Sequence, residues 1–203
     1  IFRIKEYLET MPIYQVEVEQ LEADDVIAYI CNKCWLGEDK VVISSDRDYF
    51  QLITDKVSVF RPIKKELIDY QHMINEYKTY PSNWIIIKTI TGDASDGVAG
   101  VRGVGIKTIN KLFPFLSEPR RIDLAEIIDF SQKNVSTSRH FKNIVDSKDQ
   151  LQKNWEVMQL LDHNFSITGM DTLNEALAQQ PQFKPFQLRL LFMQDNAFKQ
   201  IQY

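Results

Sequence analysis

Three short segments of this chain each place two or three carboxylates within four residues. They are Leu21-Glu22-Ala23-Asp24-Asp25, Ser45-Asp46-Arg47-Asp48 and Gly92-Asp93-Ala94-Ser95-Asp96. If the segments converge, each like-charge pair at about 4 Å costs on the order of 4 kcal/mol at an effective dielectric near 20. Bound cations relieve that repulsion, and ligand sets made only of oxygen favour Mg²⁺ or Mn²⁺. The three segments together predict a metal site.

Each acidic segment taken alone has a simpler interpretation. Asp at a strand end is commonly a helix N-cap, and the helix macrodipole favours acidic residues in a first turn. Three such segments beside apolar strands favour metal binding, with Asp25 and Asp93 expected to support the site structurally. Two oxygen-ligated ions about 3.5 to 4 Å apart suit phosphodiester hydrolysis. One ion lowers the pKa of the attacking water, and the other stabilises the leaving 3′ oxygen.

The run Gly-Val-Arg-Gly-Val-Gly-Ile-Lys-Thr at 100–108 is the most specific segment of the chain. Gly103 and Gly105 permit a tight turn, and the helix that follows would direct its positive end outward beside Lys107 and Thr108. Such a turn binds the phosphates of a duplex without reading its sequence. Neither a dinucleotide-binding motif, which follows a first strand, nor a P-loop fits the spacing. An ordinary helix–turn–helix corner is the alternative.

Alternating strands and helices must position these segments. Apolar residues alternate with polar ones at 13–18, form a short continuous run within 40–44, and recur at helical spacing at 23–35. The pattern predicts an α/β core with a mainly parallel sheet, at whose carboxyl edge the segments 22–25 and 46–48 meet. Strands are predicted over Ile13–Val18, Lys40–Ser44 and Val57–Arg61; helices or helical turns are predicted over Phe2–Leu8, Ala23–Trp35, Asp48–Leu52, Trp84–Thr91, Lys107–Phe113, Ala125–Phe130, Lys153–Leu161 and Phe186–Gln200.

Composition excludes several classes of protein. A net charge of −4 over 203 residues is against a uniformly basic nucleic-acid binder, although the stretch 99–121 carries five basic residues against one Glu. No apolar run approaches the roughly 18 to 20 residues of a membrane span. Cys31 and Cys34 lack two further zinc ligands at suitable spacing, so we interpret them as ordinary helix residues and expect a reducing, intracellular setting.

In their order, these motifs resemble those of the 5′ nucleases: phage 5′→3′ exonucleases, the amino-terminal nuclease domain of bacterial DNA polymerase I, and flap endonucleases. The resemblance rests on Glu22-Ala23-Asp24-Asp25, Ser45-Asp46-Arg47-Asp48, Thr91-Gly92-Asp93-Ala94-Ser95-Asp96 and 101–108, and extends over roughly 19–113. It implies a PIN-like α/β core followed by a helix–three-turn–helix hairpin and a helical tail. Residues 1–91 would belong to the core and 92–203 to the duplex-binding region.

The resemblance also implies Mg²⁺- or Mn²⁺-dependent cleavage of 5′ flaps, nicked or gapped duplex ends and RNA primers by a cytoplasmic monomer, in a bacterium or a phage-infected cell. The ligands of its two ions would be Glu22, Asp24, Asp25, Asp46, Asp48, Asp93 and Asp96, of which Glu22, Asp24, Asp46, Asp48 and Asp96 would be catalytic. Contacts to duplex DNA or an RNA–DNA hybrid would come from Arg102, Gly103, Gly105, Lys107, Thr108 and Lys111. Main-chain carbonyls of Val101, Val104 and Ile106 would hold a K⁺ ion.

Two departures from the family pattern qualify this expectation. Gly97 stands where Asn is usual, so a hydrogen bond that supports the site is expected to be missing. The family's first strand and its arch would precede Ile1, so these 203 residues alone are expected to be inactive. A non-catalytic duplex-binding module and a PIN-type ribonuclease are the alternative functions. Metal binding would argue against the duplex-binding module. A preference for duplex DNA over single-stranded RNA would argue against the ribonuclease.

Overall fold

The computed structural model describes residues 2–160 and 165–197, and it confirms a mixed α/β fold with a helical C-terminal region. The chain forms two compact units, one made of 1–26 with 164–203 and the other of 27–163. The helices are α1 (Phe2–Leu8), α2 (Ala23–Lys33), α3 (Tyr70–His72, continued by a π-helical turn at Met73–Tyr77), α4 (Trp84–Thr91), α5 (Ile106–Leu112), α6 (Leu124–Lys133), α7 (Arg139–Asp146), α8 (Lys148–Met158), α9 (Ile167–Ala178) and α10 (Pro185–Gln194). The strands are β1 (Lys40–Ile43), β2 (Val57–Arg61), β3 (Glu66–Ile68), β4 (Gly92–Asp93) and β5 (Val98–Ala99).

The central sheet of the larger unit has the order β1-β2-β3. Strands β1 and β2 run parallel, as predicted, and Val42 lies opposite Val59. Strand β3 returns antiparallel to β2. Val42 and Val59 are buried in the core, whereas Val41 and Ile43 are exposed. The prediction of a buried strand at 40–44 therefore holds for only one of its two faces.

The predicted strand at Ile13–Val18 is wrong. This segment lies in no β-ladder of the described residues. Alternating apolar residues indicate an extended backbone, but a strand also needs a neighbour to accept its hydrogen bonds. The acidic residues at 22–25 consequently follow a turn at 19–20 rather than a strand.

The smaller unit joins the two ends of the chain. The guanidinium of Arg3 on α1 donates two hydrogen bonds to the Asp195 carboxylate, at 2.8 and 2.7 Å, and the Tyr7 hydroxyl donates a third at 2.8 Å. The Lys184 N–H donates to the carbonyl of Thr10 at 2.8 Å. The predicted ends of helices at Leu161 and Gln200 lie outside the described residues.

Helix α4 is the centre of the larger unit. Every side chain from Trp84 to Ile90 is buried, as its nearly continuous apolar sequence requires. At its start, the buried Asn83 donates to the carbonyls of Leu116 and Arg120 and accepts from the Ile122 N–H. These three bonds fix the direction in which α4 leaves the preceding 3₁₀ turn at Pro81–Asn83.

The end of α4 is fixed just as closely. Asn154 of α8 is buried and donates to the carbonyls of Thr89 and Ala99, at 3.0 and 2.9 Å. The Val101 N–H donates to the Ile90 carbonyl at 2.8 Å, so the chain returns to α4 after the β4–β5 hairpin. A Cβ atom at Gly100 would lie 2.0 Å from the Thr91 carbonyl oxygen, which makes glycine necessary there.

No helix of the described residues has the length and apolar character needed to cross a bilayer.

We expect Gly100→Ala to destabilise the protein by about 2 to 4 kcal/mol, because its methyl group would overlap the backbone at the end of α4. Thermal unfolding should show a melting temperature lower by at least roughly 5 °C. The matched control is Gly37→Ala, where an added Cβ meets nothing within 4 Å. Equal melting temperatures for the two variants would contradict the close approach at Gly100.

Candidate metal centre and basic hairpin

Three of the predicted ligands converge in the larger unit. Asp48, Asp93 and Asp96 each offer a carboxylate oxygen, and these atoms all lie within 4.8 Å of one another. Asp48 begins the 3₁₀ turn that follows β1, Asp93 lies on β4, and Asp96 lies in the turn between β4 and β5. The end of a buried helix and the end of a parallel strand thus bring three carboxylates to one place.

The loop after β1 is shaped by its own polar side chains. The Asp48 N–H donates to Asp46 Oδ1 at 2.8 Å, and the Asp46 N–H donates to Ser44 Oγ at 3.1 Å. Asp46 is exposed, and its carboxylate turns the backbone so that Asp48 enters the partly buried cluster. A direct role for Asp46 as a metal ligand stays a prediction.

Lys88 was not among the predicted site residues, yet it lies inside this cluster. Its Nζ is 2.6 Å from Asp48 Oδ1 and 2.5 Å from Asp93 Oδ2, and the residue is only 8% exposed. The sequence did carry a signal for it: Lys88 is the single charged residue of α4. Since a buried charge is costly without a partner, a lysine in such a helix predicts nearby carboxylates.

The charges in the cluster act on one another. Burial is the largest influence on Asp48 and raises the pKa of its carboxyl group, against the opposing effect of the Lys88 ammonium. Hydrogen bonds from Lys88 and Ser95 instead hold the pKa of Asp93 well below its usual value. Burial lowers the pKa of Lys88, but its contacts with Asp48 and Asp93 outweigh that effect and leave the pKa raised. The ammonium is therefore charged at neutral pH.

The donor set fits a hard divalent cation. Its side chains are all carboxylates, and one lysine cannot neutralise three of them. Asp48 Oδ1 is buried and accepts no well-aligned hydrogen bond from the described residues, although the lysine nitrogen is 2.6 Å away. Asp93 Oδ1, in contrast, accepts hydrogen bonds from the N–H and the hydroxyl of Ser95. Asp48 and Asp96 are the better candidates for ligands, since Asp93 also binds Ser95 within its own turn.

The remaining predicted ligands, Glu22, Asp24 and Asp25, belong to the other compact unit. Asp24 and Asp25 lie in the first turn of α2, and Asp25 Oδ2 accepts a hydrogen bond from the Glu22 N–H at 3.3 Å. This is the backward bond of a capping box, in which the third helical residue satisfies the backbone at the helix start. Asp25 thus caps its own helix, and the assignment of all three residues to the metal site stays a prediction.

The glycine-containing segment forms a compact turn that leads into α5. Val101, Val104 and Ile109 are buried, whereas the side chains of Arg102 and Lys107 are exposed. Lys111 is exposed one turn further along α5. The Val104 N–H closes the turn on the Val101 carbonyl at 3.1 Å, and Gly105 occupies the N-cap position.

This turn is also held from outside. Asn143 of α7 donates to the Arg102 carbonyl at 3.1 Å. Gly103 adopts a φ of 77°, a left-handed conformation that glycine enters without strain. Gly97, where the family pattern has Asn, has a φ of 70° and open space around its Cβ position. The backbone there suits Asn as well as Gly, since Asn tolerates the left-handed region.

Comparison with known proteins agrees with this geometry. Residues 1–78 match the family described as 5′-3′ exonuclease, N-terminal resolvase-like domain. The thermostable DNA polymerase I of Thermus thermophilus is 36% identical over 110 residues, which are 54% of this chain and 13% of that protein. The 5′-3′ exonuclease of Buchnera aphidicola is 28% identical over 165 residues, which are 81% of this chain and 55% of that protein.

The fold has a counterpart among solved structures. The T5 5′-exonuclease with bound divalent zinc superposes with a TM-score of 0.62 and 25% identity, over 84% of this chain and 60% of that one. The chain therefore spans less than two thirds of the length of each of these proteins. Its motifs, its first 78 residues and its fold all indicate the same relationship. The chain is similar to the 5′ nucleases, and residues 1–78 match the family of their N-terminal exonuclease domain.

Proposed function

We propose that this chain is part of a structure-specific 5′ nuclease, a 5′→3′ exonuclease or flap endonuclease that hydrolyses phosphodiesters of DNA or RNA primers in replication or repair. The observation that carries the proposal is the convergence of Asp48, Asp93 and Asp96 beside a hairpin with exposed basic residues. Either feature alone has a structural explanation. Asp93 and Asp96 precede the hairpin on one continuous segment, from β4 to α5, and this succession supports a cation site beside a surface suited to phosphates.

The metal site would be built by the chain's carboxylates. We assign Asp48 and Asp96 as ligands, with Glu22, Asp24 and Asp46 as further ligands and Asp25 and Asp93 in support. Divalent ions held there, two Mg²⁺ or Mn²⁺, would supply Lewis-acid chemistry that activates water and offsets charge on the phosphodiester. The protein's part is to hold the carboxylates at fixed positions, which the buried end of α4 does through Asn154 and Lys88.

The hairpin would hold the duplex. Arg102 is an exposed cation on a short, well-anchored turn, and Lys107 and Lys111 are exposed on the helix α5 that follows it. Gly103, Gly105 and Thr108 would offer backbone amides and a hydroxyl near the surface. Such groups bind the backbone of a duplex with a 5′ flap, nick or end, or of an RNA–DNA hybrid, without selecting a sequence. Carbonyl groups of Val101, Val104 and Ile106 are assigned to a K⁺ ion at the same turn.

Cleavage of a flap tests the metal centre. We expect the full-length protein to cut a 5′-labelled flap substrate near its junction with Mg²⁺ and not with EDTA. Asp48→Asn should lower the rate at least about 100-fold, because it removes a charged oxygen donor from the buried cluster. The control is Asp129→Asn, an exposed carboxylate paired only with Lys133 in the described structure.

Cleavage that persists in EDTA, or that Asp48→Asn leaves at the wild-type rate, would contradict the metal centre. A wild type that binds the duplex but never cuts it would instead favour the non-catalytic duplex-binding module.

Salt dependence tests the hairpin. We expect Lys107→Ala to weaken duplex binding and to reduce the slope of log affinity against log salt by about 1, since each lost phosphate contact releases one fewer counterion. Fluorescence anisotropy with a labelled duplex in EDTA measures binding without cleavage. Lys133→Ala, an exposed lysine on α6, is the matched control and should leave the slope unchanged. Equal slopes for the two variants would exclude Lys107 from the duplex interface.

A further inference from the structure

Lys88 is a buried lysine whose position calls for an explanation. It lies in α4 among Ile85, Ile86, Ile87 and Ile90, where an apolar side chain would be the favourable choice. A lysine is retained at such a place at a cost in desolvation. Any benefit that offsets this cost must come from the contacts of its ammonium group.

The ammonium lies within the acidic cluster itself. It contacts Asp48 Oδ1 at 2.6 Å and Asp93 Oδ2 at 2.5 Å, two of the three carboxylates whose oxygens lie within 4.8 Å of one another. Without Lys88, two partly buried carboxylates in this cluster would lose their shared counter-charge. The lysine therefore holds together, in the protein without metal, the groups that the proposed function assigns to the metal site.

We propose that Lys88 is a positioning residue that takes the place of a divalent cation beside Asp48 and Asp93 in the metal-free protein and competes with the ion for Asp48. The inference rests on the proposed metal site and adds to it a control of metal binding. An ion that enters the cluster must draw at least one carboxylate away from the Lys88 ammonium. Asp96, which has no described ion pair with Lys88, is the carboxylate open to an arriving ion.

Competition and simple structural support make opposite predictions for the metal affinity. If Lys88 only stabilises the fold, its removal loosens the cluster and weakens metal binding. If it competes, its removal takes a positive charge out of the site and strengthens metal binding. Neighbouring charges of this kind change the affinity of a site for a cation by about tenfold or more.

The test is Mn²⁺ binding to the full-length protein at fixed pH and ionic strength, measured by electron paramagnetic resonance of the free ion. We expect Lys88→Met to bind Mn²⁺ about tenfold more tightly than the wild type. Its melting temperature should be lower in EDTA, and the rise in melting temperature on adding Mn²⁺ should be larger. Lys88→Arg, which keeps a cation beside both carboxylates, should bind Mn²⁺ no more tightly than the wild type.

A Lys88→Met protein with unchanged or weaker Mn²⁺ affinity would overturn the competition while leaving the metal site intact. A wild type that binds no Mn²⁺ would overturn the metal site and hence the proposed function, which distinguishes the two failures.

If Lys88→Met does not fold, the wild type labelled with ¹⁵N-lysine supplies the answer. The ammonium signal, assigned by its loss in Lys88→Arg, should shift with the same midpoint as Mg²⁺ binding. A signal that stays unchanged through saturation would overturn the proposal.

Discussion

The candidate site depends on the balance of charge where α4 ends. Asp48, Asp93 and Asp96 lie close enough to repel one another, and partial burial increases that repulsion because water screens it less. The Lys88 ammonium between two of them provides the compensating attraction. The lysine reaches this position because it lies in a helix whose residues 84–90 are all buried.

The frame around α4 serves this arrangement. Asn83 fixes the start of the helix, and Asn154 fixes its end by bonding two carbonyls that belong to α4 and β5. Gly100 lets the chain return close to the helix after the β4–β5 hairpin. These contacts join the acidic turn and the basic hairpin to one rigid helix. The carboxylate cluster and the basic turn are consequently held in a fixed relation within the larger unit.

The relationship to the 5′ nucleases gives this arrangement its functional meaning. A phosphodiester is itself an anion, so a cluster of carboxylates repels it unless cations lie between them. In the proposed function, exposed lysine and arginine side chains on the neighbouring turn and helix would offset part of that repulsion for the rest of the duplex backbone. The acidic and basic segments thus have complementary charges. The modest net charge of the chain does not reveal them, because opposite charges cancel in the sum.

Several elements could be predicted from the sequence because local signals were strong. The bounds of β2 and α4 were correct, since a short apolar strand and a nearly continuous apolar helix preceded by Pro81 leave few alternatives. The strand predicted at 13–18 was wrong because periodicity reports local backbone conformation and not the presence of a neighbouring strand. Helices α7 and α9 were not predicted at all, although Ser138 and Ser166 cap their starts.

The sequence by itself determined the relationship to the 5′ nucleases, the acidic segments and the basic hairpin, because residue type and spacing along the chain are enough to recognise them. Only the tertiary structure decided which carboxylates of the larger unit meet and that Lys88 lies between Asp48 and Asp93. The physical reason is distance in the sequence. Asp48 and Lys88 are 40 positions apart, and their contact depends on how a strand and a helix pack, which no local pattern of residues specifies.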